Sequence, residues 1–204
     1  MNKPIIILGG GGHASVLIDI LSFMNSEVIG ITDPLLEKGS LVNGVSVIGC
    51  DDRVLDFANS EVLLVNALGP RPKSSTREIL SQKFINLGYQ FLTLIHPRAY
   101  VSSSAKIEDG AQIMAGAIVQ AQSHIGMLSV VNTGAISEHD CSVGEHGHIA
   151  PGAILCGGVQ AGSGVFVGCG AVVLENLRLE ANSTIAAGVT LRRNLLRKEI
   201  FYGP

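Results

Sequence analysis

From Val101 to Leu191 an aliphatic residue returns at nearly every sixth position in one unbroken register. The series runs Val101, Ile107, Ile113, Val119, Ile125, Val131, Ser137, Val143, Ile149, Leu155, Ala161, Val167, Val173, Leu179, Ile185, Leu191. Fourteen of these sixteen positions are Val, Ile or Leu, and chance does not supply so many matches in one register. A second series, four residues after the first, is mostly small: Ala105, Ala111, Ala117, Ser123, Ser129, Ala135, Cys141, Gly147, Ala153. Glycine is frequent one place before it, as at Gly110, Gly116, Gly134 and Gly152. A period of six fits neither the helix nor a simple alternating strand; it is the pattern of a hexapeptide β-helix. Three hexapeptides close one triangular coil of about 18 residues, so the run predicts about five coils, with the aliphatic series stacked inside and the small series at the corners.

Composition agrees with a packed protein. The 204 residues are 47% hydrophobic and only 15% charged, which excludes a disordered tail. A net charge of −3, few aromatics and no tryptophan give no electrostatic or stacking surface for nucleic acid. No apolar run approaches the roughly 20 residues that span a bilayer, and Pro4–Leu8 is too short for a signal peptide. A soluble cytoplasmic protein, with no membrane insertion, is the expectation. Cys50, Cys141, Cys156 and Cys169 form no CxxC pair and no metal spacing, and read as buried thiols in a reducing compartment.

Residues 1–97 alternate strand and helix patterns: strands at Ile5–Leu8, Val28–Ile31, Glu61–Leu68 and Tyr89–Ile95, helices at Ala14–Met24 and Ser74–Leu87, the second closed by Gly88. This predicts a small Rossmann-like α/β layer, followed over 98–204 by the β-helix and a C-terminal cap. The turn Gly9-Gly10-Gly11-Gly12-His13 between strand and helix offers backbone N–H groups and a positive dipole end to a phosphate. Gly9, Gly11 and Ala14 satisfy G-x-G-x-x-A, and Asp33 ends the next strand, where a ribose hydroxyl is held in dinucleotide folds. An NAD-dependent oxidoreductase is therefore one reading. Against it, a dinucleotide needs both mononucleotide halves of the sheet, and fewer than ~100 residues precede the repeat. A single nucleotide diphosphate fits better, with His13 beside its phosphates.

The repeat itself is interrupted at Ser137-Glu138-His139-Asp140, where an aliphatic position becomes Ser beside three ionisable groups. Asp140 can raise the basicity of His139 and fix its tautomer. Gly157, eighteen residues on, is expected to stack beneath His139 on the next coil. His148 lies half a coil further along, and Asn132 seven residues before His139. His124 and His146 read as solvated side chains of the outer surface.

The motifs Gly10-Gly11-Gly12-His13, the strand end at Asp33, Asn132-Thr133-Gly134-Ala135-Ile136-Ser137-Glu138-His139-Asp140-Cys141, His148 and Phe201-Tyr202-Gly203-Pro204 together resemble the bacterial hexapeptide-repeat nucleotide-sugar acetyltransferases. The likeness runs over essentially the whole chain, on the branch that N-acetylates UDP-4-amino-sugars, with perosamine and sialic acid O-acetyltransferases as relatives. It implies a left-handed β-helix, a homotrimer with active sites between protomers, acetyl-CoA as cosubstrate, no metal, and a role in bacterial glycan biosynthesis. By residue it implies His139 as general base and Asp140 as its partner. Gly11, Gly12, His13, Asp33 and Asn132 would serve the acceptor, and His148, Gly157, Cys169 and Ala187 acetyl-CoA. Two positions depart from the family pattern: Asp140 stands where Glu is frequent, and Pro34 follows Asp33 where a second Asp is usual.

The expected reaction is direct transfer to the amine of a UDP-4-amino-4,6-dideoxy sugar. A sialic acid or other sugar O-acetyltransferase, the oxidoreductase, and a non-catalytic nucleotide-sugar-binding scaffold are the other readings.

Overall fold

The computed structural model describes residues 3–203. Pro204, the last residue of the terminal motif, lies outside them, as do Met1 and Asn2. The chain divides into two compact units: one of Met1–Pro70 with Ser74–Leu92, the other of Arg71–Lys73 with Thr93–Pro204.

The first unit is a five-stranded sheet. Strands β1 (Ile5–Leu8), β2 (Val28–Thr32), β3 (Leu41–Val42), β4 (Val45–Gly49) and β5 (Leu63–Asn66) stand in the order β3-β4-β2-β1-β5. All neighbours are parallel except the hairpin pair β3 and β4. The continuous apolar run Ile5–Leu8 makes an interior strand between β2 and β5, completely buried, because both its faces are covered. Helix α1 (Gly12–Phe23) follows β1 and sets Ala14, Leu17, Ile20 and Leu21 into the core. Helix α2 (Thr76–Asn86) follows β5 and ends before Gly88, whose φ of 83° is the left-handed cap expected there. The chain leaves β1 toward β2 on one side, and β5 lies on the other. The glycine turn at the end of β1 thus sits at the point where strand order reverses, the general ligand position of such sheets.

The second unit is a left-handed parallel β-helix whose strands are two residues long. Pairing advances by one coil at a time, as in Ile118 with Ile136 and Ser137 with Leu155. The first face holds seven strands from Leu94–Ile95 to Ile200–Phe201; the second holds six from Tyr100–Val101 to Thr190–Leu191; the third holds five from Lys106–Ile107 to Arg178–Leu179. The solenoid therefore reaches beyond the run Val101–Leu191 at both ends. Leu94–Ile95, expected in the last α/β strand, instead pairs with Gln112–Ile113 as the first rung. The sequence pattern of a buried strand is the same in either place, and only the partner differs.

Inside, the aliphatic series forms continuous buried ladders, with Ser137 and Ala161 on the same inward positions. Each fully buried Val, Ile or Leu contributes roughly 1.5–3 kcal/mol. The small series is confined to the corners by contact: a Cβ at Gly147 would stand 2.5 Å from Val143 Cγ1. The faces differ outside. Outward positions on the second face are Tyr100, Ile118, Ile136, Ile154 and Val172, an apolar stripe that ends at Thr190; on the third they are Lys106, His124, Ser142, Gln160 and Arg178. No helix among the described residues is long and apolar enough to cross a membrane.

The expectation that all four cysteines are buried fails. Cys141 is buried, Cys156 is intermediate, and Cys50 and Cys169 are exposed. Cys169 falls at a turn of the coil, where the backbone rather than the side chain faces the neighbouring rung.

Candidate active site

The glycine turn is held open from below. Gly9 takes φ 95°, and its Cα packs so closely on the loop after β5 that a Cβ would lie 2.8 Å from Leu68 Cδ2. Gly10 donates its N–H to Asp33 Oδ2 at 2.8 Å, and the other oxygen, Oδ1, accepts from Leu35 N–H at 2.8 Å. Asp33, expected to hold a ribose hydroxyl, thus clamps the turn itself, with only the remaining lone pairs of its carboxylate left for a ligand. Gly11 and Gly12 are exposed, and a Cβ at either would meet nothing within 4 Å. Gly11 caps helix α1 without any side-chain hydrogen bond, so its first turn presents bare backbone beside His13. Sequence reasoning missed the support behind this turn. Arg77, buried on α2, donates to the carbonyls of Asn66 and Leu68 at 2.7 Å each, and Asn66 Oδ1 accepts from Leu68 N–H at 3.0 Å. Burial lowers the Arg77 guanidinium to about 10. A lone arginine in a largely polar helix carries no sequence mark of such a role.

On the coil, His139 and Asp140 stand at the corner between the second and third faces. His139 Nδ1 lies 2.7 Å from Asp140 Oδ2, so the shorter acid still reaches the ring. Asp140 adopts φ 60°, a left-handed turn that folds its carboxylate back to its neighbour. The hydrogen bond to Asp140 holds the imidazole above its ordinary pKa; desolvation opposes it, and the charges of Asp140 and Glu138 add to the rise. Gly157 lies directly under the ring: a Cβ there would be 2.6 Å from both Cε1 and Nε2. Only glycine leaves room for this imidazole. The corner is supported from within, where Ser123 Oγ donates to Glu138 O at 2.7 Å and lies 3.3 Å from Ser137 Oγ.

A second group lies on the first face. Asn132 Nδ2 is 3.2 Å from His148 Nε2, and the buried His148 ring meets Phe166 edge to face at 4.8 Å. Phe166 was missed, although it stands eighteen residues after His148 on the same ladder. Cys169 and Ala187 follow at successive coils on the corner between the first and second faces, where Gly188 N–H donates to Cys169 O at 2.8 Å. In a triangular prism the corner carrying His139 and Gly157 is opposite the first face. One chain therefore separates the expected site residues into His139–Asp140–Gly157 and Asn132–His148–Cys169–Ala187. Of the other histidines, His124 is not simply solvated: its Nε2 is 2.8 Å from Glu108 Oε1. Among the described residues no three His, Cys, Asp or Glu side chains gather as a metal site.

Comparison with known proteins places this architecture. Residues 4–84 match the PglD N-terminal domain family. A GDP-perosamine N-acetyltransferase of Escherichia coli O157:H7 is 27% identical over 177 residues, covering 84% of this chain and 78% of that protein. Among solved structures, a mutant perosamine N-acetyltransferase from Caulobacter crescentus, in complex with CoA and GDP-perosamine, is 33% identical with a TM-score of 0.90, covering 98% of this chain and 93% of the other. The acetyltransferase domain of PglB from Neisseria gonorrhoeae FA1090, in complex with acetyl coenzyme A, is 30% identical with a TM-score of 0.88, covering 96% and 93%. With the glycine turn, the coil and the His139 corner all present, the chain belongs to the bacterial hexapeptide-repeat nucleotide-sugar acetyltransferases.

Proposed function

We propose that this protein transfers the acetyl group of acetyl-CoA to the amine of a nucleotide-linked amino-sugar, with His139 as general base. The observation that carries the reading is the His139 corner: Nδ1 is fixed by Asp140 while Nε2 is presented over a glycine floor. Its support is the likeness to N-acetyltransferases named for perosamine.

The amine nitrogen attacks the thioester carbonyl carbon and loses a proton to His139 Nε2. The tetrahedral intermediate collapses, the C–S bond breaks, and the proton passes on to the departing CoA thiolate. Such a base contributes roughly 10²–10⁴-fold. The oxyanion is met by backbone N–H groups such as that of Gly157. No acyl-enzyme is needed. Cys141, the nearest thiol in sequence, turns inward to Cys156 O at 3.1 Å, and burial pushes its pKa up, so it is a poor nucleophile. On the α/β unit, Gly11, Gly12 and His13 hold the diphosphate at the start of α1, over a turn fixed by Asp33 and, behind it, Arg77.

The same reading requires more than one copy. Asn132 serves the acceptor and His148 acetyl-CoA from the first face, opposite the base, so a complete site joins His139 of one copy to the Asn132–His148 face of another. The apolar outward stripe Tyr100, Ile118, Ile136, Ile154, Val172 supplies the surface for a homotrimer.

The test is release of free CoA thiol from acetyl-CoA in the presence of UDP- and GDP-linked 4-amino-4,6-dideoxy sugars. Thiol release only with a nucleotide amino-sugar is the expected result. Stabilisation by NADH but not by UDP or GDP would point instead to an oxidoreductase, and ligand stabilisation without thiol release to a scaffold.

A further inference from the structure

Asn132 Nδ2 lies 3.2 Å from His148 Nε2, and a hydrogen bond between them needs one atom to donate and the other to accept. The backbone one residue on decides which. The N–H of Thr133 donates to Asn132 Oδ1 at 2.8 Å, and the Thr133 hydroxyl lies 3.4 Å from the same oxygen. Turned over, the carboxamide would set its NH2 group against that N–H, donor against donor, so its orientation is fixed. Nδ2 therefore meets the ring as a donor. His148 Nε2 must accept, and a neutral imidazole that accepts at Nε2 carries its proton on Nδ1. An imidazolium has no lone pair to offer and would oppose Nδ2 with an N–H of its own.

The ring has little room to turn away. It is 6% exposed and meets Phe166 edge to face, with ring centres 4.8 Å apart and 77° between the planes. Its neighbours on the ladder, Val130 and Phe166, are uncharged, and a charge buried among them would lose its hydration. His139 offers the contrast. Its Nδ1 faces Asp140, so the proton again sits on Nδ1, but Nε2 keeps its lone pair over Gly157. Both rings hold the same tautomer, and only in His148 is the basic nitrogen already engaged.

We infer that Asn132 is a positioning residue for His148: its carboxamide, locked by Thr133, holds the ring neutral, with the proton on Nδ1 and the Nε2 lone pair occupied. His148 then meets acetyl-CoA as an uncharged ring and takes no proton, so of these two histidines His139 alone acts as a base. The other N–H of Asn132 Nδ2 is left for the acceptor. The inference rests on the proposed role of His148 at acetyl-CoA, and its test is chosen so that the two fail separately.

Heteronuclear NMR of the histidine ring nitrogens, near neutral pH and without any ligand, reads the tautomer directly. His148 is assigned as the ring signal missing from His148→Gln. The wild type shows a neutral ring with Nε2 bare. Asn132→Asp keeps one oxygen for Thr133 and turns the other to the ring, so Nε2 becomes protonated; Asn132→Ala removes the donor, and the Nε2–H form is populated. In turnover, Asn132→Asp raises KM for acetyl-CoA roughly 3–10-fold, the size of one neutral hydrogen bond. A wild-type His148 protonated at Nε2 overturns the inference, as does a ring that keeps the wild-type form in both variants. A tautomer that shifts while KM for acetyl-CoA stays put supports the lock and counts against the acetyl-CoA contact alone. The same shift in a protein that never releases thiol supports the lock and counts against acetyl transfer alone.

Discussion

Two histidines of the coil are paired with carboxylates at almost the same distance, His139 with Asp140 at 2.7 Å and His124 with Glu108 at 2.8 Å. Their surroundings differ. His139 spends Nδ1 on its partner and carries Nε2 over Gly157, at an exposed corner. His124 spends Nε2, and its partner is shared: Glu108 Oε1 also takes Lys106 Nζ at 2.9 Å, while Oε2 accepts from Met127 N–H at 3.1 Å. Lys106 first, then His124, hold the Glu108 carboxyl below the usual carboxylate range. The first pair leaves a basic nitrogen available above bare backbone; the second closes on itself as a surface brace. A short His–carboxylate distance alone does not mark a base. Which nitrogen is used, and what lies under the ring, does.

The largest expected consequence is on turnover. His139→Ala lowers kcat by roughly 10²–10⁴-fold with the melting temperature unchanged, whereas His124→Ala leaves kcat intact. Steady-state thiol release on both variants reads the contrast, and a similar loss in each erases the distinction between the pairs. Next comes the floor. Gly157→Ala puts a methyl 2.6 Å from the His139 ring and must displace it, costing on the order of 10²-fold in kcat, as a 1 Å misplacement does.

The third effect is on pH dependence. Asp140 raises the His139 pKa above its ordinary 6.5, and transfer needs the neutral ring, so kcat/KM rises with pH through a limb above 6.5. Asp140→Asn removes the charge and moves that limb to lower pH; a limb that stays in place would separate Asp140 from the base. The linkage has the matching sign: the pair favours the folded state fully below the unfolded histidine pKa, and that contribution is lost as pH rises through the folded one. Both groups are well exposed, so the stability change is screened and small. The smallest expected effect belongs to the brace. His124→Ala costs less than about 1 kcal/mol in denaturant unfolding.

Much of the coil could be read before the structure, because a period of six admits few solutions and each departure from it stands out. Ser137 and the ionisable groups after it were visible for that reason, and so was the stacking of Gly157 under His139. The ends were less legible: Leu94–Ile95 has the pattern of any buried strand, and only its pairing with Gln112–Ile113 assigns it to the coil. In the α/β unit the glycine turn was plain. The clamp of Asp33 on Gly10 and the reach of Arg77 to Asn66 and Leu68 were not, since both join residues that only the sheet brings together. The half-coil spacing from His139 to His148 was legible as well, and it sets the base and the Asn132–His148 pair on opposite sides of one prism, the feature behind the proposed pairing with a neighbouring copy.

The most direct measurement is single-turnover acetyl transfer to the nucleotide amino-sugar across pH, comparing wild type with His139→Ala. The account predicts a wild-type rate that climbs through a limb above 6.5, and a variant slower by about two orders of magnitude or more with that limb gone. A variant that keeps both the wild-type rate and the limb would contradict His139 as the base.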